Sequence, residues 1–263
     1  MEDIEIAEVR AWAAEAGEIA RRYFNHSTAR RKADRSLVSD ADEAIERMLV
    51  ARITARYPTH GIIGEEHARR PATAEYLWAL DPLDGTAGYL AGLPTWAISI
   101  GVLRGNAPFA GVVYLPILGD CYWTDGSGRA FLNDLPIAVR DPDAWESEDW
   151  LAAPSDIHRT FTIDFVGKVR CLSCIAASVA YVARGSAVAA LVSQGQIWDL
   201  AAAGAVLGAA GGVLVGLSGT PLDLAELLDG RPIREPLVAA APTQAARFRQ
   251  AIRWRAAPPV TSV

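Results

Sequence analysis

The 263-residue sequence predicts an α/β protein with two sheets, an antiparallel meander in the first half and a smaller mixed sheet in the second. Three observations carry this. Apolar residues recur at helical spacing in two N-terminal stretches. From residue 94 onward, short apolar runs follow one another with turn sequences between them. Beyond residue 150, strand-like and helix-like segments alternate. Apolar residues make up 51% of the chain, enough for a sizeable core.

The elements follow in order. Residues 3–24 (Ile4, Val9, Trp12, Ala13) and 40–56 (Ala44, Ile45, Met48, Leu49, Ile53) put apolar side chains on one face of a helix. The polar, basic link between them is a loop or short hairpin. Residues 61–63 and 77–80 have the apolar texture of short buried strands, the second ending at Asp81. After residue 94 the apolar runs are broken at Arg104-Gly105-Asn106-Ala107, Pro116-Ile117-Leu118-Gly119 and Asp125-Gly126-Ser127-Gly128. Gly, Pro, Asn and Asp are turn formers, so the runs pair as antiparallel neighbours. The polar stretch 140–150 separates an N-terminal subdomain, 1–150, from a C-terminal one, 151–263. In the latter, strands near 169–172, 187–193, 211–217 and 236–241 alternate with helices near 174–184, 198–210 and 243–254, which implies crossover connections.

Charge and cysteine content narrow the function. Lys plus Arg is 25 against 31 Asp plus Glu, a net charge of −6. No surplus of cations exists to displace counterions, so neither nucleic acid nor an anionic membrane is expected as a partner. The start of the chain lacks the basic-then-apolar pattern of a signal peptide, and no apolar run is long enough to span a bilayer. A soluble, cytoplasmic protein is the expectation. Cys121, Cys171, Cys174 and four scattered histidines fall short of a structural zinc site and read as ordinary residues. A redox protein using Cys171 and Cys174 is a separate class of reading.

The chemistry-bearing segment is Asp81-Pro82-Leu83-Asp84-Gly85-Thr86. An apolar strand ends there in two carboxylates, Pro82 forces a turn, and Gly85 permits backbone geometry other residues resist. A short helix begins at Thr86, so the Gly85 and Thr86 amides can cradle a phosphate. Carboxylates beside a phosphate repel it unless cations lie between, and hard oxygen ligands suit Mg²⁺. Glu65 and Glu66 follow another short strand, and Asp199 opens an Ala-rich helix.

Taken together, these motifs resemble the inositol monophosphatase family of Mg²⁺-dependent phosphomonoesterases. The family's patterns stand here as Gly64-Glu65-Glu66, Asp81-Pro82-Leu83-Asp84-Gly85-Thr86, and Trp198-Asp199 through Gly211-Gly212. Two more are Val38-Ser39-Asp40-Ala41-Asp42, with Ser39 replacing a Thr, and the hairpin from Gly128 to Asn133. The resemblance runs from about residue 5 to 240 and implies an α/β/α/β/α layered sandwich. It implies that Glu65, Asp81 and the Leu83 carbonyl hold one Mg²⁺, and that Asp81, Asp84 and Asp199 hold a second. A third ion would lean on Glu65, giving two or three per site. Asp42 and Thr86 would orient the attacking water, Glu66 would support the ligands, and Lys32 matches a family lysine in the loop before this motif, read either as a contact of the phosphate or metal site or as a solvated loop charge. A homodimer is implied as well.

The substrate branch stays open. Inositol-specific members carry an acid shortly before Trp-Asp, where this chain has Gln194 and Gln196. They also carry Gly-(Ser/Thr)-Ala-Ala where it has Ser173-Cys174-Ile175-Ala176. These four positions, Ser173, Cys174, Gln194 and Gln196, are the candidate substrate contacts. The texture around Asp84 is similar to the histidinol-phosphate phosphatase branch, and that around Asp199 to the 3'(2'),5'-bisphosphate nucleotidase branch. The expected partner is a small phosphorylated metabolite; the contrasting class is a non-catalytic family member that binds metal or a partner.

Overall fold

The computed structural model describes residues 4–26, 30–31, 37–71 and 75–255. The chain begins with α1 (Ile6–Tyr23), a short hairpin of β1 (Arg30–Arg31) and β2 (Leu37–Val38), and α2 (Asp40–Arg56). Next come β3 (Gly61–Gly64), β4 (Arg69–Arg70), β5 (Tyr76–Asp84) and the short α3 (Thr86–Leu90). The meander is β6 (Ala97–Arg104), β7 (Ala107–Leu115), β8 (Asp120–Thr124), β9 (Ala130–Leu132) and β10 (Leu135–Ile137). The second half opens with β11 (Trp150–Ala152), α4 (Ile157–Thr160), β12 (Phe161–Ile163), β13 (Lys168–Arg170), α5 (Ile175–Ala183) and β14 (Ala189–Val192). It closes with α6 (Ile197–Ala209), β15 (Val213–Gly216), a 3-10 turn (Leu224–Leu227), β16 (Leu237–Ala240), α7 (Pro242–Ala251) and β17 (Ile252–Trp254).

Eight strands form the large sheet in the order β10-β9-β8-β7-β6-β5-β3-β4, antiparallel throughout except for the parallel pair β3–β5. The smaller sheet runs β13-β11-β14-β16-β15; β11 is parallel to both of its neighbours, and β16 is antiparallel to both of its own. Helices α1 and α2 cover one face of the large sheet, α5 and α6 fill the space between the sheets, and α7 lies on the small sheet. The result is the α/β/α/β/α sandwich. Three cores correspond to the three interfaces. The first, around Ile45, Leu49, Trp78 and Trp96, lies under α1 and α2. The second joins α5 and α6 to both sheets, and the third, around Phe248, lies under α7.

Helix α6 is the element that links the halves. Its Ala201, Ala202 and Ala203 are fully buried, and their short side chains let the helix lie directly on the large sheet. Contact is closest at two strand glycines. A Cβ on Gly101 would sit 2.6 Å from Ala201 Cβ, and one on Gly111 would sit 2.8 Å from Ala202 Cα. Ser99 on β6 adds a hydrogen bond from its hydroxyl to the Trp198 carbonyl, at 3.1 Å. The first turn of α6, which carries Asp199, is thereby set against β6.

Two elements differ from the sequence expectation. The strand expected to stop before Asp81 continues to Asp84. Residues 252–254 form β17 rather than the end of α7: the Ala251 carbonyl accepts from Asp164 N–H, and β17 pairs antiparallel with β12. The two-residue β4 and the three-residue β11 and β12 are too short to show a period in sequence.

Gly101→Ala should lower stability by about 1–3 kcal/mol, because the neighbouring atoms are α6 backbone and cannot rotate away. Gly208→Ala, on the exposed side of α6 where a Cβ meets nothing within 4 Å, should instead raise it by about 0.5–1 kcal/mol. Denaturant midpoints of the two variants check both signs.

Candidate active site

Side chains three apart on a regular strand point to opposite faces. In β5 the register against β6 shifts: Asp81 pairs with Ser99 but Asp84 pairs with Ala97, so one extra residue is inserted between them. That bulge returns Asp81 and Asp84 to the same side. Pro82, which has no N–H to give a ladder, sits inside it. Asp81 turns back on the bulge, its Oδ1 accepting from Leu83 N–H at 2.9 Å.

Two helix N-termini meet this bulge. Asp84 Oδ1 accepts from Ile175 N–H at 3.2 Å, and Oδ2 accepts from Ala176 N–H, both in the first turn of α5. Asp199, in the first turn of α6, accepts from Gln196 N–H at 2.6 Å. Oxygens of Asp81, Asp84 and Asp199 lie within 4.8 Å of one another, and all three residues are buried. A Cβ on Gly85 would lie 2.8 Å from the Ser173 carbonyl, and its φ is +92°, so glycine is required both by the left-handed backbone and by the closeness of the segment leading into α5.

Burial dominates the electrostatics. It raises Asp81 well above its ordinary value, with the charges of Glu65, Asp84 and Asp199 adding to the effect. Asp199 is pushed up to about 8, by burial first and then by Asp84. Asp84 reaches about 6, where burial is opposed by the Ala176 and Ile175 amides and by the Cys174 thiol. Three buried acids with no lysine or arginine between them among the described residues are tolerated only as protonated groups or around cations. Their all-oxygen donor set fits Mg²⁺.

A second layer comes from α2. Asp42 sits at the third position of the helix, where its Oδ2 accepts from Ser39 N–H at 2.8 Å and from Ser39 Oγ–H at 2.6 Å. Its other oxygen faces the Thr86 hydroxyl at 3.4 Å, and Thr86 Oγ1 also lies 3.1 Å from the Leu83 carbonyl. Burial lifts Asp42 to about 6. One turn along α2, Glu46 accepts from the N–H groups of Glu66, His67 and Ala68 at 2.9, 2.7 and 2.9 Å. It holds the loop that carries Glu65 and Glu66.

The structure brings Asp81, Asp84 and Asp199 together, with the Thr86 hydroxyl placed between Asp42 of α2 and the Leu83 carbonyl. Glu65 is half-buried at the end of β3, and its charge raises all four aspartates. It lies outside the trio whose oxygens fall within 4.8 Å. Glu66 is half-buried beside it. Gly85 caps α3, whose first N–H groups have no intrahelical acceptor. Ser173, Cys174 and Gln194 line a cavity of about 440 Å³ at the start of α5, whereas Gln196 caps α6 and is not among its described lining. Lys32 lies outside the described residues.

Sequence reasoning missed Glu46 and the α5 amides. Asp42, Ile45, Glu46, Leu49 and Ile53 form one buried stripe on α2, so an acid pair four apart on an apolar face was the available signal for Glu46. The amides carry no side-chain signal at all.

Comparisons with known proteins follow this geometry. The model of the inositol monophosphatase family matches residues 1–253. A fructose-1,6-bisphosphatase/inositol-1-monophosphatase of Aquifex aeolicus is 29% identical over 240 residues, covering 86% of this chain and 90% of the relative. Inositol monophosphatase 1 of Solanum lycopersicum is 32% identical over 233 residues, covering 81% and 84%. Among solved structures, an IMPase of Thermotoga maritima superposes with a TM-score of 0.82 at 20% identity, covering 94% of this chain and 95% of that one.

A carboxyl whose pKa is raised by folding stabilises the fold while protonated; that contribution is complete below the unfolded pKa and is lost as pH climbs through the folded one. For Asp199 the window runs from 3.8 to about 8. In chelator, the melting temperature of the unmodified chain should therefore fall relative to Asp199→Asn as pH rises through this window. The gap should reach about 5 °C at its alkaline end. Added Mg²⁺ should close it by stabilising the unmodified chain far more than the variant. Melting curves across pH with and without the cation make the check.

Proposed function

The chain belongs to the inositol monophosphatase family, and on that premise we propose that it hydrolyses a small-molecule phosphate monoester with Mg²⁺ held by Asp81, Asp84, Asp199, Glu65 and the Leu83 carbonyl. The observation that carries this reading is the trio of buried carboxylates with mutually close oxygens. Divalent cations, when bound, supply positive charge for the phosphate oxygens and a source of hydroxide at neutral pH. The Gly85 and Thr86 amides bind the phosphate at the start of α3. The Thr86 hydroxyl, donating to Asp42, keeps its lone pairs for a proton of the attacking water, and Asp42 with a pKa near 6 can take the proton that Thr86 passes on. Glu66 stands beside the ligands on the loop that Glu46 holds. Two or three ions are the proposed complement.

We further place the protein in the cytoplasm as a homodimer of two-subdomain chains divided near residue 150. The exposed apolar side chains Ile117, Leu118 and Leu135 around the meander edge support assembly. Light scattering at micromolar concentration should report twice the chain mass.

Asp84→Asn should remove most Mg²⁺-dependent phosphate release while preserving the fold. The loss should exceed the about 10–100-fold that attends removal of a ligand's supporting partner. Near-normal turnover with unchanged Mg²⁺ dependence would refute the assignment, and with it favour a non-catalytic role. In a screen of phosphate release, myo-inositol 1-phosphate should not be the best substrate, because Gln194, the glutamine that lines the cavity, is neutral where a polyol needs a charged acceptor. Histidinol phosphate, adenosine 3',5'-bisphosphate and fructose 1,6-bisphosphate are the informative competitors. A tenfold advantage in kcat/KM for the inositol ester would overturn this.

A further inference from the structure

The cavity is lined by Cys174 and Ile175, at the start of α5 where the Ile175 N–H reaches Asp84. It is also lined by Phe161 and Trp254, brought together by the pairing of β12 with β17. In that register Phe161 and Trp254 are directly opposite one another, and their rings lie with centroids 4.5 Å apart, tilted by 44°. Phe161 is buried and serves as the backing, while Trp254 is 62% exposed, so most of the indole surface is presented rather than packed. The Arg255 N–H donates to the Thr160 carbonyl at 2.8 Å just beyond, so the strand is tied on both sides of the ring.

A large aromatic side chain left exposed on an ordered strand, backed by a second ring and opening onto a cavity, is a stacking surface. The charge of the cavity sharpens the choice of ligand. Its described lining includes one carboxylate, Asp156, and no Lys, Arg or His. A second phosphate would meet no cation there and would face Asp156 instead. At about 440 Å³ the space suits a leaving group of one or two rings.

Resting on the phosphatase reading above, we propose that Trp254, backed by Phe161, is the specificity-determining platform of this cavity, and that the preferred substrate carries a flat aromatic, neutral or cationic leaving group without a second phosphate. The ester phosphate sits at the carboxylates, and the ring reaches across Cys174 and Ser173 to stack on the indole. Stacking in this mode is present in the bound ground state and the transition state alike, so it acts on KM rather than on kcat.

The test compares 2-phenylethyl phosphate with 2-cyclohexylethyl phosphate, matched in size but not in flatness, and uses glycerol 2-phosphate as a ring-free reference. With Mg²⁺, the unmodified chain should prefer the phenyl ester by about tenfold in kcat/KM. Trp254→Ala should bring the ratio of the two ring esters to near one through KM, and Trp254→Phe should restore most of it. A ratio near one in the unmodified chain, or a ratio unchanged in Trp254→Ala, would overturn the platform while glycerol 2-phosphate hydrolysis leaves the phosphatase reading standing. Failure of the unmodified chain to release phosphate from any of the three would overturn the phosphatase reading and the proposal together.

Discussion

The constraint on which the structure turns is the convergence of three carboxylates that burial and mutual repulsion oppose. Asp81, Asp84 and Asp199 come from strand β5 and helix α6, elements of different halves of the chain, and their oxygens end within 4.8 Å of each other. Nothing in local propensity favours this. The bulge in β5 puts two of the acids on one side, and the glycine contacts under α6 bring the third to them. Backbone amides offset part of the repulsion: Leu83, Ile175, Ala176 and Gln196 each direct an N–H at one of the three carboxylates. The remaining charge is what makes the site a cation receptor, since opposite charge in a low-dielectric pocket is the strongest available compensation.

Helix α2 serves as the frame for the loops around this centre. Its buried face carries two acids one turn apart, Asp42 and Glu46, among aliphatic residues. Buried charges of that kind are unfavourable unless satisfied, and both are satisfied by backbone or hydroxyl donors. Glu46 receives three consecutive N–H groups and so fixes the course of the chain after Glu65. Asp42 uses one oxygen to close the start of its own helix and leaves the other toward Thr86. In the proposed reaction, stability and chemistry thus share the same carboxylate, and removing it would disturb both.

A different division separates the carboxylate cluster from the cavity at the start of α5. The carboxylates are held by backbone amides of α5 and α6. Part of the cavity wall comes from the two-stranded sheet β12–β17, apart from the two main sheets. On that wall the exposed Trp254 makes no hydrogen bond to the carboxylates, so the proposed stacking can change without disturbing them.

Sequence by itself determined the α/β class with a meander in the first half and strand–helix alternation in the second, the two N-terminal helices, the turns of the meander, and the identity of the acidic residues. Each of these is local: helical spacing in α1 and α2, turn formers between β6, β7, β8 and β9, and short motifs around Glu65, Asp81 and Asp199. Tertiary structure alone decided which groups face which. That Asp84 is held by the Ile175 and Ala176 amides could not be read, because an amide has no residue identity. That Glu46 supports the loop after β3 is a contact between distant segments, visible in sequence only as an acid on an apolar face. That Gln194 lines the cavity while Gln196 caps α6 follows from where one helix begins. That Trp254 faces a cavity rather than extending α7 follows from the pairing of two three-residue strands. Sequence patterns record what each segment needs for itself; the partners that satisfy a buried charge or open a pocket are chosen by the packing of segments far apart in the chain.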